Sequence, residues 1–136
     1  MDILAFVKPL HEVVYVYDDF PIKDALEKMK QYRFSSIPIL SRDGKFVGTL
    51  TEGDLLWYFQ GFDSFDREQA NNAFVSQIRR FRDYKTINIH SNIDELIIKA
   101  SDENFVPVVD DQNIFLGIVT RKTLLNYFFE HNFIVL

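Results

Sequence analysis

Cysteine is absent from the whole chain, which excludes disulfides and thiolate metal ligands. No apolar run approaches the roughly 20 residues needed to span a bilayer. The opening MDILAFVKPLHEV carries an early Asp and lacks the basic start of a secretory leader. These absences lead us to expect a soluble, cytoplasmic protein with no membrane association. Cations are also scarce: 15 Lys and Arg against 20 Asp and Glu leave a net charge of −5, whereas nucleic-acid binding needs clustered positive charge. The single basic cluster, Arg79-Arg80-Phe81-Arg82 with Lys85, follows the acidic FDSFDRE and reads as a solvated face, with a local anion contact as the alternative.

Catalytic signatures are missing as well. His11, His90 and His131 lie far apart, without metal-ligand spacing. Asp18-Asp19 and Asp110-Asp111 are adjacent pairs at turns, an arrangement that does not set two carboxylates across a substrate. There is no nucleophile elbow, Walker loop or dinucleotide fingerprint. Neither an enzyme nor a metal site is expected, and no cofactor.

What the chain does have is a repeat. PILSRDGKFVGTLTEGDLLWYF, from Pro38 to Phe59, returns 69 residues later without a gap as PVVDDQNIFLGIVTRKTLLNYF, from Pro107 to Phe128. Pro38, Phe46, Gly48, Thr51, Leu55, Leu56, Tyr58 and Phe59 are identical to their counterparts Pro107, Phe115, Gly117, Thr120, Leu124, Leu125, Tyr127 and Phe128. So many identities mark an internal duplication, which must be recognised before any fold is assigned. Asp43-Gly44 faces Gln112-Asn113, and Gly and Asn both tolerate the positive φ of a tight turn. With 136 residues, 47% of them hydrophobic, including 14 Phe and 6 Tyr, the chain can bury a core, and copies of about 60 residues would each be marginal alone.

Each copy reads as strand, helix, strand, strand, helix. Val13 to Tyr17 and Thr86 to His90 suit strands; Pro21 to Tyr32, with Ala25, Leu26 and Met29 at helical spacing, and Ile93 to Ala100 suit helices. Ile37 to Leu40 with Phe46 to Leu50, and Val106 to Val109 with Phe115 to Val119, read as strand pairs joined by turns. Gly53 to about Gln60 and Lys122 to about Glu130 read as second helices, with apolar stripes at Leu55, Leu56, Tyr58, Phe59 and at Leu124, Leu125, Phe128, Phe129. The fold class expected is mixed α/β: two small three-stranded sheets, each flanked by helices, and two units together solving the burial problem. Residues 1–61 form the first repeat, 62–77 a polar connector with room for a helical turn, and 78–136 the second repeat. The ending FFEHNFIVL is apolar enough to require packing, on a dimer partner or on the chain's own core.

This doubled pattern of an apolar-Pro-apolar strand, an Asp-Gly-type turn, Gly-x-x-Thr and a following helix resembles a CBS domain pair, the Bateman module, from Leu10 to Glu130. The resemblance implies a pseudo-twofold pair with two clefts between the copies, where adenine nucleotides bind. It also implies a ribose-reading motif, Gly-hydrophobic-x-Ser/Thr-x-x-Asp, matched in full by Gly48-Thr49-Leu50-Thr51-Glu52-Gly53-Asp54. Such a carboxylate accepts ribose hydroxyls, and a helix N-terminus beside a hydroxyl suits phosphate. The second copy departs from it: Gly117-Ile118-Val119-Thr120-Arg121-Lys122-Thr123 has Thr123 in place of the Asp, and Arg121 and Lys122 supply cations instead. Since the resemblance implies that each ligand straddles the copies, one candidate site combines Thr51 and Asp54 with Ile87, Asn88, Phe105, Val106 and Pro107. The other combines Thr120, Arg121 and Lys122 with Tyr15, Val16, Ser35, Ser36, Ile37 and Pro38, and its hydroxyls and cations favour a phosphate-rich ligand. NFVPVVDDQNIFLGIVTRK is similar to a stretch of small stand-alone CBS proteins that bind cyclic di-AMP, so that nucleotide stands beside AMP, ADP and ATP.

Each of these residues also has a purely structural reading. Thr51 and Thr120 suit helix caps, Asp54 suits a first-turn acid, Arg121 a surface ion pair, and Ser35-Ser36 a turn. The functional expectation is a free-standing regulatory module that responds to an adenine nucleotide and signals through an effector protein or its own homodimer, built on aromatic second helices that include Trp57 and Tyr127. The alternative is a ligand-free dimeric interaction scaffold with degenerate clefts.

Overall fold

The computed structural model describes residues 2–131. By its contacts the chain divides into two compact units, residues 14–83 and residues 2–13 together with 84–131.

The first unit is built on a sheet ordered β2-β3-β4, with β2 at Val16–Tyr17, β3 at Ser36–Leu40 and β4 at Phe46–Thr51. β2 runs parallel to β3, and β3 pairs antiparallel with β4 through a register shift after Ile39. The expected strand from Val13 shortens to two residues, because the Val13 N–H closes a 3-10 turn on the Leu10 carbonyl. Helix α1, Ile22–Tyr32, starts at Pro21 and buries Ile22, Ala25 and Met29, a spacing that keeps one face on the sheet. Leu26, which sequence spacing also put on that face, is 40% exposed. Arg33 ends the helix in the left-handed region at φ 58°. Helix α2, Glu52–Gln60, turns only Leu55 fully into the core and leaves Leu56 and Trp57 exposed.

The stretch expected as a polar connector is instead part of this unit. Helix α3, Arg67–Asn72, and a 3-10 turn at Val75–Gln77 bury Ala70, Val75 and Ile78. The Ile22 N–H donates to the Ala73 carbonyl, the Val75 N–H to that of Phe20, and the Tyr58 hydroxyl to that of Ala70. Three isolated apolar positions set among polar ones have no period, which is why sequence patterning passes over them.

The second unit repeats the design with β5 (Ile87–Asn88), α4 (Ile93–Ala100), β6 (Phe105–Val109), β7 (Phe115–Thr120) and α5 (Arg121–Glu130). Its sheet has four strands where three were expected, ordered β1-β7-β6-β5, because β1, Lys8–Pro9, pairs antiparallel with β7. Val106, Val108, Val119, Leu96 and Leu124 form its core with Ile3 and Phe6 of the N-terminal segment. The Phe6 ring meets Tyr127 edge-on at 4.8 Å, so each second-helix Tyr secures a stretch outside the repeated core. Full burial of such side chains stabilises by about 1.5–3 kcal/mol each.

The turn equivalence holds in backbone terms: Gly44 has φ 87° and Asn113 has φ 63°. Of the apolar ending, residues 132–136 lie outside the described residues.

Candidate functional site

Both Gly-x-x-Thr motifs run from the last strand of a sheet into the following helix, and in both the Thr is the N-cap. In the first copy, Thr51 Oγ1 accepts from the Asp54 N–H at 3.1 Å while Asp54 Oδ2 accepts from the Thr51 N–H at 3.2 Å, a reciprocal capping box. The other carboxylate oxygen, Oδ1, accepts from the Phe81 N–H at 3.0 Å. Asp54 is only 5% exposed. Its lone pairs are not exhausted, since a carboxylate has about four acceptor positions, but access to them is closed.

The cover is the segment that follows Ile78. Asp83 Oδ1 accepts from the Thr49 N–H at 3.0 Å, and Arg80 holds Asp83 through Nε at 2.7 Å and Nη2 at 3.2 Å. A Cβ on Gly48 would stand 2.3 Å from Asp83 Oδ1 and 2.8 Å from Arg80 Nη2, so glycine is needed there for close approach. The basic cluster read as a solvated face thus contains a clasp. Phe81 itself is 91% exposed. Nothing local in the sequence announces this, because Asp83 lies 34 residues from the amide it meets.

In the second copy, Thr120 Oγ1 accepts from the Thr123 N–H at 3.2 Å and lies 2.8 Å from the Thr123 hydroxyl. Thr123 and Lys122 are exposed. Arg121 faces elsewhere: its Nε donates to the Ala100 carbonyl at 2.9 Å, and its Nη2 to those of Glu103 at 3.0 Å and Ser101 at 3.4 Å. These are the orphan carbonyls at and beyond the C-terminus of α4, where a cation also meets the favourable end of the helix dipole. Gly117 has φ 155°, and a Cβ there would stand 2.1 Å from the Lys8 carbonyl oxygen. The edge of β7 is therefore covered by β1.

The remaining candidate residues fall within one unit or the other. Val16 and Ile37 belong to the first core, Ile87 and Val106 to the second, so only their backbones are left to meet a ligand. Pro38, Pro107 and Phe105 are buried, and Phe105 packs on Tyr84 with ring centres 4.9 Å apart. Asn88 donates from Nδ2 to Asp111 at 2.8 Å and accepts from the His90 N–H at 2.8 Å. Ser35 is exposed and Ser36 half-buried, the Ser35 carbonyl accepting from the Glu52 N–H. Tyr15 lies in a cluster of rings and cations: Lys28 Nζ donates to its carbonyl at 2.6 Å, and its hydroxyl is 3.4 Å from that of Tyr17. That contact, with burial, raises the Tyr15 pKa above the usual phenol value and keeps the hydroxyl protonated.

A groove of about 700 Å³ between α1 and α2 is lined by Leu26, Met29, Phe34, Leu55, Leu56 and Phe59, together with Glu52 and Gly53 at the start of α2. Among the described residues, no three His, Asp or Glu side chains come together to hold a metal, and no helix is long and apolar enough to cross a membrane.

The two motifs, on two small sheets with helices, are matched by the CBS domain family model over residues 4–61 and 75–130. The chain belongs to the CBS domain family and carries two copies of the domain. It is 27% identical over 115 residues to the uncharacterized protein MJ1225 of Methanocaldococcus jannaschii, covering 79% of this chain and 40% of that one. To MJ1004 of the same organism it is 35% identical over 54 residues, 40% of this chain and 25% of that one. The chain thus spans less than half the length of these two relatives. Inosine-5'-monophosphate dehydrogenase of Bacillus subtilis is 26% identical over 114 residues, but only 21% of that enzyme is covered. Among solved structures, CbpB in complex with c-di-AMP superposes with a TM-score of 0.85 at 26% identity, over 98% of this chain and 89% of the other. CbpB of Listeria monocytogenes, also in complex with c-di-AMP, has a TM-score of 0.82 at 22% identity over 96% and 97%, a likeness of fold.

Proposed function

We propose that this protein is a non-catalytic regulatory module that binds an adenine nucleotide and passes the signal on through an effector protein or its own homodimer. The observation that carries the reading is the capped Gly-x-x-Thr motif at a strand-to-helix junction in each copy, where the positive end of the helix dipole suits an anion. The second-copy motif is the better candidate, because Lys122, Thr123 and the helix N-terminus are exposed there. Cyclic di-AMP is the first ligand to test, since a CbpB in complex with it is similar over 98% of this chain.

Calorimetric titration of nucleotide-stripped protein with cyclic di-AMP, AMP, ADP, ATP and S-adenosylmethionine tests this. Heat is expected with cyclic di-AMP, and less with the mononucleotides. Neither heat nor a thermal shift with any of them at millimolar concentration overturns the proposal.

A second reading, the ligand-free homodimeric scaffold, is favoured by specific contacts: Asp54 serves the capping box and Phe81, and Arg121 serves the α4 carbonyls. The exposed Leu56, Trp57, Leu125 and Phe129 of the second helices would supply its self-association surface.

A further inference from the structure

The first motif matches the ribose-reading pattern in full, yet its carboxylate is closed off by the protein's own chain. Two groups on one short segment do this. The Phe81 N–H occupies Asp54 Oδ1, and the Arg80-Asp83 pair lies over Gly48 with Asp83 on the Thr49 N–H. The segment is tethered upstream by the buried Ile78. It has no apolar anchor of its own, since Phe81 is 91% exposed and the Arg80 and Asp83 side chains keep 18% and 37% of their surface. It is therefore held by polar contacts that water can replace once it lifts. Such local openings have the lowest free energies in a folded protein.

We propose that residues 80–83 are a strap that competes with a ribose for Asp54. Resting on the nucleotide reading above, this makes the first motif the latent one of the two. A ribose hydroxyl reaches Asp54 only when the Phe81 amide lets go, so the apparent affinity there is lowered by the fraction of time the strap stays closed. Binding in turn frees Phe81, an exposed ring flanked by Arg79 and Arg82, from its fixed position. Occupancy of the first motif is thereby converted into movement of an aromatic side chain on the surface. Among the described residues the second copy shows no such competitor at Thr123, whose hydroxyl and N–H meet Thr120.

The test is AMP titration of the full chain, wild type against Asp83→Ala, read as stoichiometry. Removing the Asp83 carboxylate loses the Thr49 contact and the Arg80 pair, while Asp54 and Phe81 are retained. A second AMP per chain is expected in Asp83→Ala at about tenfold lower concentration than in wild type, the effect of roughly one hydrogen-bonded contact. Asp54→Ala combined with Asp83→Ala should cancel that gain. If wild type binds AMP and Asp83→Ala binds it identically, or the gain survives loss of Asp54, the strap is overturned and the nucleotide reading stands. If neither form takes AMP or cyclic di-AMP, the nucleotide reading fails and the competition falls with it. Should Asp83→Ala melt early, hydrogen exchange of wild type gives the answer: the Phe81 amide is expected to be protected in the free chain and to lose protection at saturating AMP. Unchanged protection overturns the strap.

Discussion

Three residues after its capping threonine, the first copy has a buried carboxylate and the second an exposed hydroxyl. By sequence pattern alone the first is the intact ribose reader and the second the degenerate one. Packing reverses the ranking of access, because the better carboxylate is covered and the poorer site is open. A complete motif measures chemistry, and availability depends on what the rest of the chain lays over it. The same contrast recurs in the glycines that begin each motif. Gly48 admits the side chains of Arg80 and Asp83, whereas Gly117 admits the backbone of Lys8. One cover is a clasp, the other a strand.

The comparison breaks most visibly at those glycines. Gly117→Ala should destabilise by about 2–3 kcal/mol, since its Cβ meets a paired backbone carbonyl and its φ of 155° disfavours a side chain. Gly48→Ala displaces only side chains and should cost about 1 kcal/mol. Denaturant unfolding of the two variants checks the order, and equal costs would show that the covers are alike.

Arg121→Ala sharpens the contrast next. Loss of its contacts to the Ala100, Ser101 and Glu103 carbonyls should lower stability by about 1–2 kcal/mol. Affinity for adenosine and for its phosphates should fall together if at all. A selective loss of phosphate-bearing ligands would instead return Arg121 to the site.

The smallest effect is expected at a pair that both copies keep at the same offset. Arg42 holds Asp19 at 2.9 Å in the first, and Asn88 holds Asp111 at 2.8 Å in the second. The Arg42 guanidinium keeps the Asp19 carboxyl below the usual carboxylate range. The folded pKa is thus below the unfolded value of about 3.9, so the stabilisation is complete above that value and is lost as pH falls through the folded one. Both partners are exposed, so Asp19→Asn should leave neutral-pH melting nearly unchanged and flatten only the acid limb of a melting-temperature profile. A clear loss at neutral pH would contradict this.

Much of this architecture was legible because it was written twice. Pro38 and Pro107, Thr51 and Thr120, and the positive-φ pair Gly44 and Asn113 each vouch for the other, and they place strands, caps and turns in both copies. What escaped was whatever lies outside the repeated stretch or depends on distance. Ala70, Val75 and Ile78 are single apolar residues without periodicity, and β1 is two residues long, one of them proline. Asp83 and Arg121 are ordinary charged residues whose partners are backbone groups, and a backbone group has no letter in a sequence. Hence the motifs could be found from sequence while their covers could not.

The division of the chain also sets an order in time. The first unit is continuous, residues 14–83, and everything it needs has been synthesised once Asp83 is made. The second has its first strand before that block and its partner after it, with Lys8 meeting Ile118. At about 5–20 residues per second, the N-terminal segment waits on the order of seconds longer than the first unit for its neighbour to exist. It then closes a long loop already shortened by a folded block. During synthesis the strap and Asp54 both exist before the second motif has been made.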